Sequence, residues 1–327
     1  MIISRTPLRM SFVGGGSDLP SFYERFGGAV LSTAIDKYVF VTCNPKFDSG
    51  IRIAYSKTEE VASVDEIDHK IVRATMKLLE VKGGIEITTI ADVPSRGTGL
   101  GSSSSFAVGL LNVLHAFQSC YASAARLAEE SCRVEIDLCG EPIGKQDQYA
   151  AAFGGFNLIE FQPDGRVDVT PVMLRNEVRQ SLSRRIIAFY TGVTRSASEL
   201  LAVQATTVSS SADKQKALQR MVQLCYVMKS ELEGGNVDSF GEILHENWML
   251  KKSLTAGISS EHIDQWYEAA RRHGATGGKI LGAGAGGFLI FYADEERHAG
   301  IEQALSGLRR VQFGFEPLGS RIIFYNP

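Results

Sequence analysis

The stretch PSRGTGLGSSSSF, residues 94–106, is the feature of this 327-residue sequence that most restricts its fold. Glycines at positions 97, 99 and 101 run into four consecutive serines, and the apolar run FAVGLLNVLHAF follows. The order predicts a helix over 102–117 that begins directly after a glycine loop. The first N–H groups of a helix lack intrahelical partners and carry partial positive charge, and glycine lets a backbone approach a ligand closely. The stretch therefore predicts a phosphate cradle.

An ordinary glycine loop with a serine cap is the alternative, although a cap needs only one serine. The stretch is not a Walker A motif, because no lysine follows the glycines in the required position. GAGAGG, residues 282–287, satisfies G-x-G-x-x-G. The residues after it, FLIFY, predict a strand and not the helix of a dinucleotide site, so that interpretation is rejected.

Strand and helix patterns are mixed through the whole chain, without the regular alternation of a doubly wound sheet. β-branched and aromatic runs predict strands at 38–43, 50–55, 84–90, 185–190 and 286–293. Periodic apolar residues predict helices over 65–80, 102–117, 123–138 and 213–233. A composition shift at Pro163-Asp164-Gly165 suggests a boundary, which divides the chain into domains 1–165 and 166–327. The fold class expected is α+β.

Charge and cysteine content exclude several functional classes. The net charge of −3 provides no basic field for nucleic acid. Five cysteines, an odd number without a C-x-x-C pair, argue against a disulfide framework or a zinc site. No leader and no run of about 18 apolar residues are visible. We expect a soluble, cytoplasmic protein without a membrane partner.

Three motifs carry a resemblance to a known family. PSRGTGLGSSSS resembles the phosphate-binding motif of the GHMP kinases, which include galactokinase, homoserine kinase and mevalonate kinase. RTPLRMSFVGGGSDLP (5–20) resembles their substrate motif, and KILGAGAGGF (279–288) resembles their C-terminal glycine motif. The resemblance implies an N-terminal domain like domain 2 of ribosomal protein S5 and a ferredoxin-like C-terminal domain, with the nucleotide between them.

The resemblance also implies ATP and Mg²⁺ as cofactors. The residues expected to hold ATP are those of the glycine-serine loop: Pro94, Gly97, Gly99, Leu100, Gly101, Ser102, Ser103, Ser104 and Ser105. Ser103 and Glu135 would bind Mg²⁺, which prefers hard oxygen ligands. Glu135 lies five residues before Gly140, where the family places its metal-binding glutamate. A solvated helix surface is the alternative for Glu135.

Asp147 in GKQDQ matches the catalytic aspartate of the family, and Arg9 in P-x-R matches the arginine that pairs with it. An aspartate is ionised at neutral pH and can accept a hydroxyl proton. One more residue separates the G-x-P turn from the aspartate than in mevalonate kinase. The alternative is a turn-forming aspartate that caps the helix YAAAF.

The resemblance places the acceptor sugar on the turn formed by Gly14, Gly15, Gly16, Ser17 and Asp18. Galactokinases carry E-H-T-D here, and only Asp18 matches, so the site would be roomier. Gly144, Lys145 and Gln146 would line the same site, and Gly284 would help to close it. A phosphorylated sugar needs a cationic anchor, for which Arg195 is the leading candidate and Lys279 and Arg5 are alternatives.

Within the family, GEPIGKQDQYAAAFGG and FYTGVTRSAS resemble bacterial enzymes that phosphorylate the anomeric C1 hydroxyl of D-glycero-D-manno-heptose 7-phosphate. The resemblance implies a small-molecule sugar phosphate as partner and a monomer or homodimer. Three alternatives stay open: a kinase acting at C1 of L-fucose or another hexose, a non-catalytic GHMP-fold ligand-binding protein, and an isoprenoid-pathway member of the family.

Overall fold

The structure is a computed structural model that describes residues 1–94, 97–193 and 197–327. The strands are β1 (Ile2–Val13), β2 (Gly28–Pro45), β3 (Ile51–Ala54), β4 (Thr58–Val61), β5 (Ile85–Ala91), β6 (Phe156–Phe161), β7 (Val167–Pro171), β8 (Ile186–Tyr190), β9 (Gly277–Ile280), β10 (Phe288–Tyr292), β11 (Arg309–Val311) and β12 (Arg321–Tyr325).

The α-helices are α1 (Pro20–Phe26), α2 (Lys70–Leu78), α3 (Ser102–Phe117), α4 (Ala124–Cys132), α5 (Gln146–Phe153), α6 (Asn176–Arg185), α7 (Ala197–Ser210), α8 (Ala212–Gly234), α9 (Ser239–Leu254), α10 (Glu261–Arg272) and α11 (His298–Ala304). A π-helical segment, Arg133–Leu138, continues α4, and short 3-10 turns lie at Val64–Glu66 and Glu295–Arg297. None of the helices in the described ranges has the length and apolar character needed to cross a bilayer.

The long strand β2 organises the larger sheet. It pairs along most of its length with β1, while its first half pairs with β6 and its second half with β5. The described strands of this sheet follow the order β12-β1-β2-β5-β3-β4, with β7 beyond β6. The pairs are antiparallel, apart from the parallel pair β3–β5. β1 thus occupies a central position, and its end delivers the glycine turn to the interior.

Helix α3 packs on the larger sheet and is buried along most of its length. Gly109 permits the close approach, because a Cβ there would lie 2.7 Å from Oγ1 of Thr6 on β1. The hydroxyl of Ser4 donates a hydrogen bond to the Gly109 carbonyl at 2.8 Å. These contacts fix the direction of α3 and therefore the position of its first turn.

A smaller antiparallel sheet, in the order β11-β8-β10-β9, forms the second unit with helices α8 to α10. Its buried side chains join the core of the larger sheet: the ring of Phe12 on β1 meets that of Phe240 on α9 at 5.1 Å between centroids. The segregated helices and mostly antiparallel sheets confirm the α+β class.

The domain boundary after residue 165 stays a prediction. Residue 165 lies in the turn between β6 and β7, which pair with each other in the larger sheet. The last strand, β12, returns to that sheet beside β1. We therefore propose that residues 167–171 and 321–325 belong to the first unit, although most of their sequence neighbours belong to the second.

Candidate active site

A cavity of about 570 Å³ lies where the two units meet. Loops and helix starts from both units line it: the turn after β1, the glycine-serine loop before α3, the start of α5, and helices α7 and α9. Many of the residues expected to bind ligands lie here, namely Arg9, Gly15, Gly16, Asp18, Gly97, Gly99, Gly101, Ser102, Ser103, Ser104, Glu135, Gly144, Gln146, Asp147 and Lys279.

The first turn of α3 opens into this cavity. Gly97, Gly99 and Gly101 take φ values of +68°, +74° and +76°, a left-handed backbone that other residues rarely adopt. Gly101 is the N-cap and has no side chain to bond the first N–H groups of the helix. Those N–H groups, with the hydroxyl of Ser102, are donors of the kind that a phosphate tail requires.

The glycine loop before α3 is held directly against the C-terminal glycine motif. A Cβ on Gly99 would lie 2.3 Å from the carbonyl oxygen of Leu281, and one on Gly282 would lie 2.5 Å from Cα of Gly99. A Cβ on Gly287 would lie 2.3 Å from the carbonyl oxygen of Thr98. The GAGAGG segment therefore packs against the glycine-serine loop by backbone contact between the two units.

Arg9 and Asp147 form a bidentate ion pair at the centre of the cavity. Nε of Arg9 donates to Oδ1 of Asp147 at 2.7 Å, and Nη2 donates to Oδ2 at 2.8 Å. Nη1 of Arg9 donates to the carbonyl of Gly99 at 2.6 Å. Asp147 lies in the first turn of α5, and its Oδ2 would be 3.2 Å from a Cβ on Gly101. The carboxylate thus lies directly beside the start of α3.

Glu135 is fully buried next to Ser103, although the sequence left a surface position open. The Ser103 hydroxyl donates to Oε1 of Glu135 at 2.5 Å, and Nε2 of Gln148 donates to Oε2 at 2.7 Å. Burial raises the pKa of Glu135 to about 7, against the opposing hydrogen bonds. No cationic side chain of the described ranges pairs with Glu135. Its carboxylate and the Ser103 hydroxyl are oxygen ligands of the kind that Mg²⁺ prefers.

Asp18 is buried in the end of the cavity that is formed by the turn after β1 and the start of α5. Its Oδ1 accepts from the Gly16 N–H at 2.9 Å, and its Oδ2 accepts from Nε2 of Gln146 at 3.0 Å. A Cβ on Gly144 would lie 2.0 Å from Oδ2, so this glycine leaves room for the carboxylate. Burial and the charge of Asp147 raise the pKa of Asp18, while the backbone N–H groups oppose the shift. The turn after β1 is therefore rigidly tied to the start of α5.

Two buried lysines complete this end. Nζ of Lys279 donates to the carbonyls of Ser11 and Phe12 at 2.8 and 3.1 Å. Nζ of Lys251 donates to the carbonyl of Gly15 at 3.1 Å and to Oε1 of Gln204 at 2.9 Å. Burial lowers the pKa of Lys279 to about 7, with Lys251 and Arg9 adding repulsion, and burial lowers that of Lys251 to about 8.

Several expected ligand residues lie outside the cavity lining. Pro94 is exposed. Leu100 is buried, and its carbonyl accepts from the Arg9 N–H at 3.1 Å. The Ser105 hydroxyl donates to the carbonyl of Pro7 at 2.8 Å. Gly284 packs on the chain at Ile258, whose carbonyl oxygen would be 2.6 Å from a Cβ.

Three of the residues expected to bind the sugar, Gly14, Ser17 and Lys145, also lie outside the cavity lining. A Cβ on Gly14 would lie 2.0 Å from the carbonyl oxygen of Ala29, and the Ser17 hydroxyl donates to that oxygen at 2.9 Å. Nζ of Lys145 donates to the carbonyl of Gly165 at 2.9 Å. These three residues support the turn and the loop from behind.

The predicted phosphate anchors also differ in position. Arg195 lies outside the described residues. Arg5 stacks on the Tyr38 ring at 4.4 Å, away from the cavity lining. Lys279 lies in the lining.

Sequence reasoning missed Ser11, Gln148, Gln204 and Lys251. Gln148 follows Asp147 in the quoted GKQDQ phrase, so its neighbourhood was a usable signal. Lys251 is the first of two consecutive lysines near the end of a helix, where a lysine ordinarily points to solvent. Gln204 had no local signal.

The chain is similar to known proteins over its whole length. The family models "GHMP kinases N terminal domain" and "GHMP kinases C terminal" match residues 69–155 and 228–309, which together span just over half of the chain. A D-glycero-alpha-D-manno-heptose 7-phosphate kinase of Campylobacter jejuni is 29% identical over 320 residues, covering 93% of each chain. A galactokinase of Pyrococcus furiosus is 24% identical and covers 93% of this chain and 92% of its own.

Among solved structures, a D-glycero-D-manno-heptose 1-phosphate kinase from Bacteroides thetaiotaomicron superposes with a TM-score of 0.82 at 26% identity, with both chains fully covered. The two-domain α+β architecture expected from the sequence is thus confirmed. With both family models matched in order and the whole chain covered by a relative, the chain belongs to the GHMP kinase family of small-molecule phosphotransferases.

Proposed function

We propose that this chain is an ATP- and Mg²⁺-dependent sugar kinase. The proposed reaction transfers the γ-phosphoryl group of ATP to the anomeric C1 hydroxyl of D-glycero-D-manno-heptose 7-phosphate and gives the 1,7-bisphosphate. One observation carries the proposal. The Arg9–Asp147 pair lies in a cavity that is lined on one side by the glycine-preceded start of α3. The polar turn after β1, which holds Asp18, lines the same cavity.

The donor end of the proposed site is the start of α3. Backbone N–H groups of this turn and the loop glycines would bind the phosphate tail of ATP. Ser103 and Glu135 would hold Mg²⁺, whose charge neutralises phosphate oxygens when it is bound. Because burial raises the pKa of Glu135 to about 7, a cation is the natural partner that returns this group to its carboxylate form.

The acceptor end is the turn after β1 with the start of α5. Asp18, the backbone at Gly15 and Gly16, and the Gln146 amide would orient the sugar hydroxyls. Asp147 would accept the proton of the C1 hydroxyl as that oxygen attacks the γ-phosphorus. The bidentate bond from Arg9 holds the carboxylate in one orientation and supplies a counter-charge.

A hexose 1-kinase is the second candidate, favoured by the 24% identity to the Pyrococcus furiosus galactokinase over nearly the full chain. The two candidates differ in whether the acceptor carries its own phosphate. Gly15 and Gly16 line the cavity without a bulky side chain, and this supports the larger acceptor.

The test is ADP release with ATP, Mg²⁺ and a panel of acceptors: heptose 7-phosphate, the unphosphorylated heptose, galactose, L-fucose and mevalonate. We expect kcat/KM for heptose 7-phosphate to exceed that for every other acceptor by at least about 100-fold. A preference for galactose or L-fucose would select the hexose kinase instead. Turnover of none of them would favour a ligand-binding protein.

A further inference from the structure

The acceptor end of the cavity contains more hydrogen-bond donors than the protein itself uses. An ammonium group has three N–H donors. Lys251 and Lys279 each use two of them, all on uncharged oxygens. Within the described residues, neither ammonium has a carboxylate oxygen within ion-pair distance, although the charge of Asp18 acts on Lys251. Each lysine is about 95% buried or more and still has one donor for a ligand.

Two further side-chain donors in this corner have no hydrogen-bond partner among the described residues. One is Oγ of Ser11, which is 4% exposed and lines the cavity. The other is Nε2 of Gln204, whose orientation is set because its Oε1 accepts from Lys251, a group that only donates. Buried polar groups are nearly always paired, so two orphans in one corner point to an absent ligand.

The two glycines of the turn bring these atoms together. A Cβ on Gly16 would lie 2.3 Å from Nε2 of Gln204 and 3.2 Å from Nζ of Lys251. A Cβ on Gly15 would lie 3.8 Å from Oγ of Ser11, and the Gly15 carbonyl already accepts from Lys251. A side chain at Gly16 would enter the corner, and the φ of +106° at this position also favours glycine.

We propose that Lys251 and Lys279, with the Ser11 hydroxyl and the Gln204 amide, form a subsite for the phosphate monoester group of the acceptor. The proposal rests on the proposed function and deepens it, because it names the anchor that distinguishes a sugar phosphate from a free sugar. Two ammonium groups and two neutral donors match the charge and the acceptor oxygens of a phosphate dianion.

The phosphate tail of ATP is the other possible source of a phosphate at this subsite. The order of groups along the cavity argues against it. Ser103 and Glu135 lie at the start of α3, Asp147 lies beside Gly101, and Gln146 bridges to Asp18 and the turn after β1. Lys251 donates to the Gly15 carbonyl and Lys279 to the carbonyls of Ser11 and Phe12, so the lysine corner adjoins the turn after β1, on the side of the acceptor.

Ser11→Ala is the most informative variant, because its hydroxyl has no hydrogen-bond partner in the described part of the chain, so its removal breaks no hydrogen bond there. We expect KM for heptose 7-phosphate to rise about 10- to 100-fold, the size of one hydrogen bond to a charged group. Lys251→Met should raise it at least about 30-fold. Each of the two variants should change KM for the unphosphorylated heptose by no more than about twofold.

Lys252→Met is the matched control. Lys252 adjoins Lys251 on α9 but pairs with Asp264 at the surface at 2.5 Å, so we expect KM values within about twofold of wild type. An equal loss on both acceptors in the Ser11 and Lys251 variants would overturn the proposal. A rise in KM for ATP, with the acceptor KM unchanged, would also overturn it and assign the corner to the nucleotide.

A binding measurement separates failure of the subsite from failure of the proposed function. Inorganic phosphate is titrated into wild type, Ser11→Ala and Lys251→Met by calorimetry in the presence of a saturating ATP analogue and Mg²⁺. Weaker phosphate binding in both variants supports the subsite even if no heptose is turned over. Binding equal to that of wild type in both variants contradicts it, whichever sugar is the acceptor.

Discussion

Replacing Asp147 with Asn changes the proposed base while keeping its shape. The amide cannot accept the hydroxyl proton, and proton transfer by a positioned side chain is worth about 10²- to 10⁴-fold in rate. We therefore expect kcat to fall by about 10²- to 10⁴-fold, or roughly 3–5 kcal/mol of barrier. The side chain still fills the space against Gly101, so the KM for ATP should stay within about threefold of wild type.

The same substitution affects stability to a smaller degree. Arg9 donates to both oxygens of Asp147 at 2.7 and 2.8 Å, and the amide nitrogen of Asn can no longer accept one of these bonds. A hydrogen bond to a charged group is worth about 1.5–3 kcal/mol. The Asp147 side chain is 24% exposed, so water replaces part of the loss, and we expect a destabilisation of about 1 kcal/mol.

The assay is steady-state ADP release at saturating ATP and acceptor, combined with urea unfolding of the same samples. Asp213→Asn is the control, because Asp213 is exposed in the first turn of α8, away from the cavity lining. It should keep the full rate. If Asp147→Asn keeps more than about a tenth of wild-type kcat, proton transfer to this carboxylate is not what limits the reaction.

Three further outcomes follow from the site. Gly99→Ala should lower stability far more than Gly140→Ala in thermal melts. Both positions have φ near +70°, but a Cβ at Gly99 would lie 2.3 Å from a backbone oxygen, whereas no atom of the described residues lies within 4 Å of one at Gly140. The pKa of Glu135 is about 7 in the fold and lower in the unfolded chain, so its contribution to stability is lost as pH rises through 7. Glu135→Gln should accordingly be about 1–3 kcal/mol more stable than wild type at pH 8 without Mg²⁺, and little different at pH 5; equal differences at both pH values would contradict this. Gly144→Ala, with its Cβ 2.0 Å from Oδ2 of Asp18, should raise the acceptor KM at least about tenfold with KM for ATP unchanged; a rise in both would show a general disturbance.

The sequence predicted an element correctly where residues nearby in the chain determine its bounds. Helix α3 spans 102–117 as expected, because a glycine stop precedes a long apolar run. The helix expected over 65–80 is shorter, Lys70–Leu78. The N–H of Asp68 donates to Oε2 of Glu59 at 2.6 Å, so the preceding residues follow a contact to β4 and not the helix.

The motifs predicted the site residues that lie within them. They did not predict the residues that only tertiary packing brings to the cavity. The helix expected over 123–138 changes to a π-helical segment at Arg133–Leu138, which carries Glu135, and periodicity does not reveal such a change. Lys251 and Lys252 look alike in the sequence, yet one is buried at the cavity and the other pairs with Asp264. Only the packing of α9 against the turn after β1 separates them.

Phosphorus NMR of the reaction mixture measures the proposed activity most directly. With ATP, Mg²⁺ and heptose 7-phosphate, we expect loss of the γ-phosphate signal and growth of a new sugar phosphate signal coupled to the anomeric proton, with the 7-phosphate signal retained. Formation of ADP with inorganic phosphate alone, or a new phosphate on another carbon, would contradict it.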